Sequence, residues 1–284
     1  MNIDRHEIFR RIAEEAEKGS LVFPTHADVA LKVQRALDDP DCTMDRAARL
    51  IMAEPLLAAR VVAMANSVVY NRGGREIADV KLAVPRLGFR TVRSLATAVA
   101  VRQLAAAPRD PRLRAMAAQL WEHTAHVAAL AHVIARRVTK KDPEAALFAG
   151  IIHEVAGFYL LSKAHDYPGL FDGDPDDWMV AWNGEAEALV GRAVLRVLDV
   201  PETTREAIEL NWQGYLELPP VSLGDTLLLA EDLAPIASPL HSPERESSVG
   251  ADGSLDLVLG EGSLVELLKE SAEEVSSLTA SLKF

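Results

Sequence analysis

The residues of this sequence best suited to chemistry are an adjacent imidazole and carboxylate, His153 and Glu154, inside the apolar run of residues 147–161. Burying an ionisable pair among apolar side chains costs free energy unless a bonding partner compensates. A metal ion is a common partner, since hydrolytic metal sites combine imidazole and carboxylate ligands with a position for water. One histidine beside one acid therefore raises the question of a metal site, but further ligands are needed to support it.

A second candidate histidine lies on a long helix predicted over residues 112–138. On a helical wheel of about 100° per residue, His123 falls in the middle of an apolar stripe, His126 lies at its edge, and His132 points away toward solvent. A buried His123 needs a hydrogen-bonding partner. Two interpretations stay open: a core histidine bonded to a backbone carbonyl, which composition alone favours, and a metal ligand that meets His153 from the neighbouring helix.

Three further acids, Glu185, Glu187 and Glu231, could supply oxygen ligands. Charged side chains usually lie on solvated helix faces, and this is the expectation for each of the three. The sequence has no Gly-rich phosphate loop and no GxSxG, CxxC or HExxH motif. The single cysteine, Cys42, lies in a polar loop, cannot form an internal disulfide, and is typical of a protein in a reducing cytosol.

The elements that must position these residues are helices. Hydrophobic residues make up 49% and aromatic residues 5% of the 284 residues, and helical periodicity runs through almost the whole chain. The net charge of −12 argues against a nucleic-acid partner, because phosphate binding depends on clustered Lys and Arg. No apolar segment reaches about 18 uninterrupted residues, and the charged N-terminus is not a signal peptide. We therefore expect a cytoplasmic protein with no membrane span.

The first part of the chain is predicted to be a block of short helices. Thr43, Pro55 and Asp79 have the residue types that begin helices, and Gly19 ends the first one. The predicted helices cover residues 4–18, 24–37, 44–53, 55–69, 80–87 and 89–106.

Pro108 and Pro111 separate this block from a second one. From residue 235 to 263 Pro, Ser, Gly and Glu dominate, which predicts a flexible linker. Residues 263–283 predict a last amphipathic helix, for which packing back on the body is favoured over a docking or dimerisation role. The helices predicted for the second block cover residues 112–138, 143–163, 179–198, 201–213 and 220–233.

Several short motifs follow one another in a recognisable order. Glu54-Pro55-Leu56-Leu57-Ala58-Ala59-Arg60 is followed by Ala65-Asn66-Ser67 and Tyr70, then by Leu87-Gly88, and then by Trp121-x-His123. This order resembles the HD-related output domain family, abbreviated HDOD, over residues 20–235.

The resemblance implies an all-α fold in two lobes. Residues 20–107 would form a helical bundle peculiar to the family, and residues 112–235 a lobe similar to the HD metal-dependent phosphohydrolases. The implied flanking parts are an N-terminal helix at 1–19, a linker at 236–262 and a C-terminal helix at 263–284.

The resemblance also assigns positions to the candidate site residues. In the HD enzymes, histidines and an HD dipeptide bind one or two metal ions that activate water on a phosphate ester. By resemblance, His123 matches the first ligand, His153 the His of HD, and Glu154 its Asp. The extra methylene moves the carboxylate by about 1.5 Å, enough to disturb a tight metal geometry. The remaining positions of this degenerate pocket correspond to Glu187, Asn211, Trp212 and Glu231.

HDOD proteins are generally regarded as signalling modules without phosphohydrolase activity, so the resemblance implies a non-catalytic bacterial regulatory module. Its partner would be a signalling protein or a small ligand, and no cofactor is expected. If a metal ion binds, its ligands would be His123, His153 and Glu154. The alternative is an active metal-dependent phosphohydrolase on a nucleotide or cyclic dinucleotide, which the retained His123 and His153 support.

A third hypothesis is a nucleic-acid-binding regulator. Residues 43–67 superficially resemble a helix-turn-helix, and arginines make the N-terminal lobe less acidic than the rest. Solvated helix faces explain these arginines better and are the favoured interpretation. The input signal, the partner and the oligomeric state are not determined by the sequence.

Overall fold

The computed structural model describes residues 4–18, 27–106, 108–183, 185–217, 219–241 and 264–283. Throughout these ranges the regular structure is helical, and they contain no strand. The all-α fold class expected from the sequence is therefore confirmed.

Local capping explains where the helices of the first lobe begin. The Thr43 hydroxyl accepts a hydrogen bond from the Arg46 amide, and the Asp79 carboxylate accepts one from the Lys81 amide. Pro55 occupies the first turn of its helix, where a missing amide proton costs nothing. The helices that precede and form this lobe are α1 (Arg5–Glu17), α2 (Ala27–Leu37), α3 (Met44–Met52), α4 (Pro55–Ala65) and α5 (Val80–Ala105).

Gly88 divides α5 into two helical segments, close to the predicted boundary at residues 87–89. Its φ of 77° lies in the left-handed region, which glycine adopts because it lacks a Cβ. Beyond its own lobe, α5 contacts three helices of the second lobe.

The second lobe and the C-terminal segment continue the helical pattern. A single π-helical turn, Ala135–Thr139, follows the long α6. The helices are α6 (Pro111–Ile134), α7 (Pro143–Ile152), α8 (Val155–Ser162), α9 (Pro175–Trp182), α10 (Glu185–Val197), α11 (Glu202–Gln213), α12 (Leu223–Asp232), α13 (Leu264–Glu270) and α14 (Ala272–Leu282).

Three predicted helices are each two helices in the structure, and the one predicted over 263–283 is divided at Ser271 into α13 and α14. The helix predicted over 143–163 is broken at His153 and Glu154, where Glu154 has φ −94° and ψ 16°. The apolar pattern could not reveal this break, because the residues on both sides are buried. The helix predicted over 179–198 is likewise two helices, α9 and α10.

The packing of α6 against α7 positions the candidate site. The two backbones approach so closely at Gly150 that a Cβ there would lie 2.4 Å from the Ala128 Cα. Only a glycine fits this contact. It brings the end of α7, and with it His153, beside the part of α6 that carries His123.

The stretch Pro143–Ser162 has the length and apolar composition of a membrane-crossing helix, and no other helix in the described ranges does. However, 89% of its apolar window is buried inside the fold. Such burial is expected of a central core helix, whose surface is apolar on all sides.

The C-terminal helix α14 packs back on the body, as its amphipathic pattern predicts. It lies against α4 of the first lobe and α6 of the second. The Trp121 indole nitrogen donates to the Leu282 carbonyl at 3.2 Å, and the Arg60 guanidinium donates to the Ser281 carbonyl at 3.3 Å. The last helix therefore joins the two lobes.

The linker predicted from residue 236 does not begin there. Residues 236–241 lie on the second lobe, and Leu240 is completely buried. Residues 242–262 of the predicted linker lie outside the described residues.

Candidate functional site

Two imidazoles meet at the interface of α6 and α7. The Nε2 atoms of His123 and His153 lie 3.3 Å apart, and both residues are at most 2% exposed. Each Nδ1 atom faces a backbone carbonyl at 2.7 Å: that of Ile236 for His123 and that of Gly150 for His153. A carbonyl can only accept, so each Nδ1 carries a proton, and the Nε2 of each ring faces the site. Metal-binding histidines are held in this way.

Two carboxylates complete the group around these nitrogens. Glu231 Oε2 lies 3.2 Å from His123 Nε2 and 3.0 Å from His153 Nε2, and Glu154 Oε1 lies 3.9 Å from His123 Nε2. The donor atoms of all four residues lie within 4.8 Å of one another. We call His123, His153, Glu154 and Glu231 the HD-like group.

Mutual interactions shift the pKa values within this group. Burial by itself would raise the pKa of Glu231, but the neighbouring His123 and His153 outweigh it and hold that pKa well below its ordinary value. Burial would lower the pKa of His123, yet the charges of Glu231 and Glu154 raise it overall. Both shifts show that the carboxylates favour a cation among them, whether a proton or a metal ion.

Glu154 is the residue whose environment most clearly requires a further partner. It is 1% exposed, and neither carboxylate oxygen accepts a hydrogen bond. A buried carboxylate without a donor costs several kcal/mol, on the order of 2–7 kcal/mol for a polar group and more for a charge. A divalent cation at the HD-like group would remove this cost.

The distances in the HD-like group suit a metal ion. Two ligands that each lie about 2.1 Å from one ion can be at most about 4.2 Å apart. The closest contacts of the group, 3.0 to 3.9 Å, lie within that limit, and its other donor atoms lie within 4.8 Å of one another. Imidazole nitrogens and carboxylate oxygens together are a ligand set used by zinc, manganese and iron. The residues present therefore fit a divalent metal.

A histidine that the sequence did not single out extends the site. His241 Nε2 lies 3.3 Å from Glu187 Oε2, and His241 Nδ1 lies 3.9 Å from Glu154 Oε1. The donor atoms of Glu154, Glu187 and His241 also lie within 4.8 Å of one another. We call these three residues the His241 group, which shares Glu154 with the HD-like group. The sequence did contain one signal that this segment packs on the fold, namely the apolar Leu240 beside His241 in a mostly polar stretch.

Two of the three acids expected on solvated faces are buried instead. Glu187 is 5% exposed and the Glu231 side chain 10%, whereas Glu185 is exposed as expected. The wheel could not show this, because α10 and α12 are each covered by other elements of the lobe.

Asn211 and Trp212 lie near the C-terminal end of α11. Asn211 is buried, and Trp212 is half-buried against α10, where a Cβ on Gly191 would lie 2.3 Å from the Trp212 Cζ2. Trp212 thus takes part in helix packing at a position where the resemblance expects a histidine.

His132 is not solvated, which corrects the prediction from the helical wheel. It is 3% exposed, and its Nε2 lies 3.6 Å from Glu144 Oε1. The same carboxylate accepts a hydrogen bond from the Tyr70 hydroxyl at 2.6 Å, and the Thr91 hydroxyl lies 2.7 Å from its other oxygen. We call Tyr70, Thr91, His132 and Glu144 the junction group, since it joins the two lobes. The helical wheel treats α6 as an isolated helix, whereas in the fold the first lobe covers the face that carries His132.

A comparison with protein families identifies the chain. The sequence profile of the HDOD domain matches residues 23–213. The chain belongs to the HDOD family. This confirms the resemblance drawn from the motifs between Glu54 and His123. The matched range ends before Glu231 and His241, so the HDOD match does not cover these two site residues.

Solved structures share the fold of this HDOD protein. The "Putative metal-dependent phosphohydrolase" of Shewanella amazonensis is similar with a TM-score of 0.75 and 23% identity, over 98% of this chain and 99% of that one. An HDOD domain protein of unknown function from Geobacter sulfurreducens is similar with a TM-score of 0.60 and 23% identity, over 97% of each chain. None of the curated proteins compared with the chain matches it. At these identities the likeness establishes the two-lobed helical fold.

Proposed function

We propose that this HDOD protein is a non-catalytic regulatory module of bacterial signalling, which acts through a partner protein or a small ligand. The observation that carries the proposal is the burial of the HD-like group. His123, His153 and Glu154 are at most 2% exposed, and the Glu231 side chain 10%. A hydrolytic metal site keeps a coordination position open for water and substrate. Donors so deeply enclosed favour a structural or regulatory role over hydrolysis.

The segment of residues 236–241 encloses the group. The Ile236 carbonyl is hydrogen-bonded to His123, and Leu240 packs over Gly157, where a Cβ would lie 2.3 Å from the Leu240 Cδ1. A phosphate ester could reach the HD-like group from this side only if the segment moved. The segment therefore supports the non-catalytic proposal.

A cavity where the lobes meet is suited to a small-ligand input. Its volume is about 390 Å³, and it is lined from both lobes. Arg72, Arg86 and Arg136 line it, with Arg136 already paired to Glu274. Because guanidinium groups bind anions well, a small anionic ligand is the input that we propose. A ligand that contacts both lobes can shift their relative position, which is the kind of output a regulatory module needs. The polar residues lining this cavity include Tyr70, Arg72, Arg86, His132, Arg136 and Glu144.

The test is a hydrolysis assay with the protein loaded with Mn²⁺, Fe²⁺ or Zn²⁺. Substrates are p-nitrophenyl phosphate, its bis-ester, nucleotides and cyclic dinucleotides. We expect no hydrolysis that depends on His153 when wild type is compared with His153→Ala. The matched control is His126→Ala, a half-buried histidine on α6 whose Nδ1 lies 2.8 Å from the Glu122 carbonyl of its own helix. Turnover in wild type and control that His153→Ala abolishes would contradict the proposal.

A metal-dependent phosphohydrolase remains the second candidate. The favouring observation is that two imidazoles and two carboxylates lie within reach of one ion. A bound divalent ion would supply Lewis-acid chemistry and an activated water. The chain's own contribution would be the orientation of His123 and His153 by their carbonyl partners, and the same assay decides between the candidates.

A further inference from the structure

We infer that this protein binds a second divalent metal ion beside the HD-like group, held by Glu154, Glu187 and His241, and that this ion fixes the segment of residues 236–241 on the lobe. Neither the family match nor the fold assigns such a role to His241. The inference goes beyond the proposed function, since it concerns metal binding by the chain alone.

The first step of the argument is the unpartnered carboxylate. Both oxygens of Glu154 are buried and accept no hydrogen bond. One ion in the HD-like group would contact one side of this carboxylate. The same oxygen, Oε1, lies 3.9 Å from His123 Nε2 and 3.9 Å from His241 Nδ1, so Glu154 stands between the two groups and is placed to serve an ion in each.

The second step is the geometry of the His241 group. The His241 ring lies 3.3 Å from Glu187 and 3.9 Å from Glu154. The two distances end on different ring nitrogens, Nε2 and Nδ1, and the longer one exceeds a hydrogen bond. One donor atom from each of the three residues lies within 4.8 Å of the other two, close enough for one ion to draw them together. A protonated His241 would satisfy Glu187 by a weak hydrogen bond and would leave Glu154 without a donor.

The third step is the balance of charge. Glu154, Glu187 and Glu231 place three carboxylates in a space where none is more than 10% exposed. A single divalent ion leaves one of these charges uncompensated in a low-dielectric region, where isolated charges are costly. A second divalent ion next to Glu187 offsets this remaining negative charge and leaves one positive charge in excess.

The fourth step is the origin of the ligands. By resemblance, Glu187, Asn211 and Trp212 stand where the HD enzymes have histidines. His241 comes from the segment after α12 and places an imidazole beside Glu187 from a different part of the chain. The same segment is held at its start by the bond between the Ile236 carbonyl and His123. Metal ions in both groups would therefore attach this segment at two points.

The experiment uses the full chain, stripped with chelator, reloaded with Mn²⁺ and desalted, with metal content measured by elemental analysis. We expect about two Mn²⁺ per chain in wild type and in the control His126→Ala, and about one in His241→Ala. Electron paramagnetic resonance adds an independent readout, since two bridged Mn²⁺ ions give an exchange-coupled spectrum and a single ion a six-line spectrum. Glu187→Gln, which keeps the side-chain shape, replaces His241→Ala if that variant does not fold.

Three results would overturn the inference: no bound metal in wild type, one ion in wild type that His241→Ala retains, or a six-line spectrum at full loading.

Hydrogen exchange tests the effect on the segment. Metal should increase protection of amides at residues 236–241 in wild type by at least about tenfold and leave His241→Ala unchanged. Equal protection with and without metal in wild type would contradict the role in fixing the segment.

Discussion

The long helix α6 carries two buried histidines that face carboxylates, and the two environments differ in one respect. In the junction group, Glu144 receives the Tyr70 hydroxyl, and the Thr91 hydroxyl and His132 ring lie beside it. In the HD-like group, the buried Glu154 accepts no hydrogen bond from the described chain. Hydroxyl groups of the protein therefore satisfy the Glu144 carboxylate, whereas the Glu154 carboxylate has no such donor. Two histidines of one helix thus face carboxylates that differ in their hydrogen-bond donors.

The largest expected effect is that of metal on the HD-like group. Mn²⁺ at about 1,000 times its dissociation constant should raise the free energy of unfolding of wild type by about 4 kcal/mol relative to chelator. His153→Ala should lose the stabilisation that comes from an ion in the HD-like group, and His126→Ala should keep it. Urea denaturation with and without metal measures the difference. Equal stabilisation of wild type and His153→Ala would show that the metal acts elsewhere.

The next effect is that of Glu144→Gln in the junction group. In the variant, one carboxylate oxygen of residue 144 stays an acceptor, and the other is replaced by an NH₂ group. The hydroxyl or imidazole that faced the replaced oxygen then loses its charged acceptor. We expect a loss of about 2 to 3 kcal/mol of unfolding free energy, the same with metal and with chelator. The exposed Glu185→Gln is the matched control and should change stability little. A metal-dependent loss in Glu144→Gln would remove the distinction between the two groups.

A substitution of the same type at Glu154 should act in the opposite direction. In chelator, Glu154→Gln removes a buried charge without a donor, so we expect a gain of about 1 to 2 kcal/mol of unfolding free energy. With Mn²⁺ the variant should lose most of the stabilisation seen in wild type. If Glu154→Gln is destabilising in chelator, the carboxylate has a protein partner and the comparison fails.

The smallest effect is on the dependence of stability on pH. Burial would raise the pKa of Glu144, but interactions with His132, Tyr70 and Thr91 hold it below the ordinary 4.5. A lowered pKa gives stability that is fully present above the ordinary value and is lost as the pH falls through the value in the folded protein. The stability gap between wild type and Glu144→Gln should therefore be constant above about pH 5.5 and narrow below about pH 4.5. Urea titrations in chelator at several pH values measure this gap, and a gap that widens on acidification would contradict the assignment.

Features encoded locally were predictable from the sequence. Thr43 and Asp79 cap their helices as their residue types indicate, and Gly88 interrupts α5 near the predicted boundary. These outcomes depend on hydrogen bonds and backbone angles within a few residues, so neighbouring residue types suffice to predict them.

The errors concern contacts between distant parts of the chain. His132 has the position of a solvent-facing residue on an isolated helix, but the first lobe covers it with Tyr70. His241 lies in a stretch with the composition of a linker, but Leu240 anchors that stretch in the core. In both cases the partner that decides the environment is far away in sequence, so periodicity and composition do not contain it.

The sequence by itself determined the helical class, most helix starts, the family, and the presence of two imidazoles and nearby acids on adjacent helices. Only the tertiary structure decided which of those acids are buried, that Glu154 lacks a donor, and that His241 joins Glu187. The physical reason is the range of the interactions. Capping and periodicity act within one or two helical turns. A ligand group, in contrast, forms only when α6, α7, α10, α12 and the segment after α12 pack together. The close contact of Gly150 with Ala128 is part of that packing.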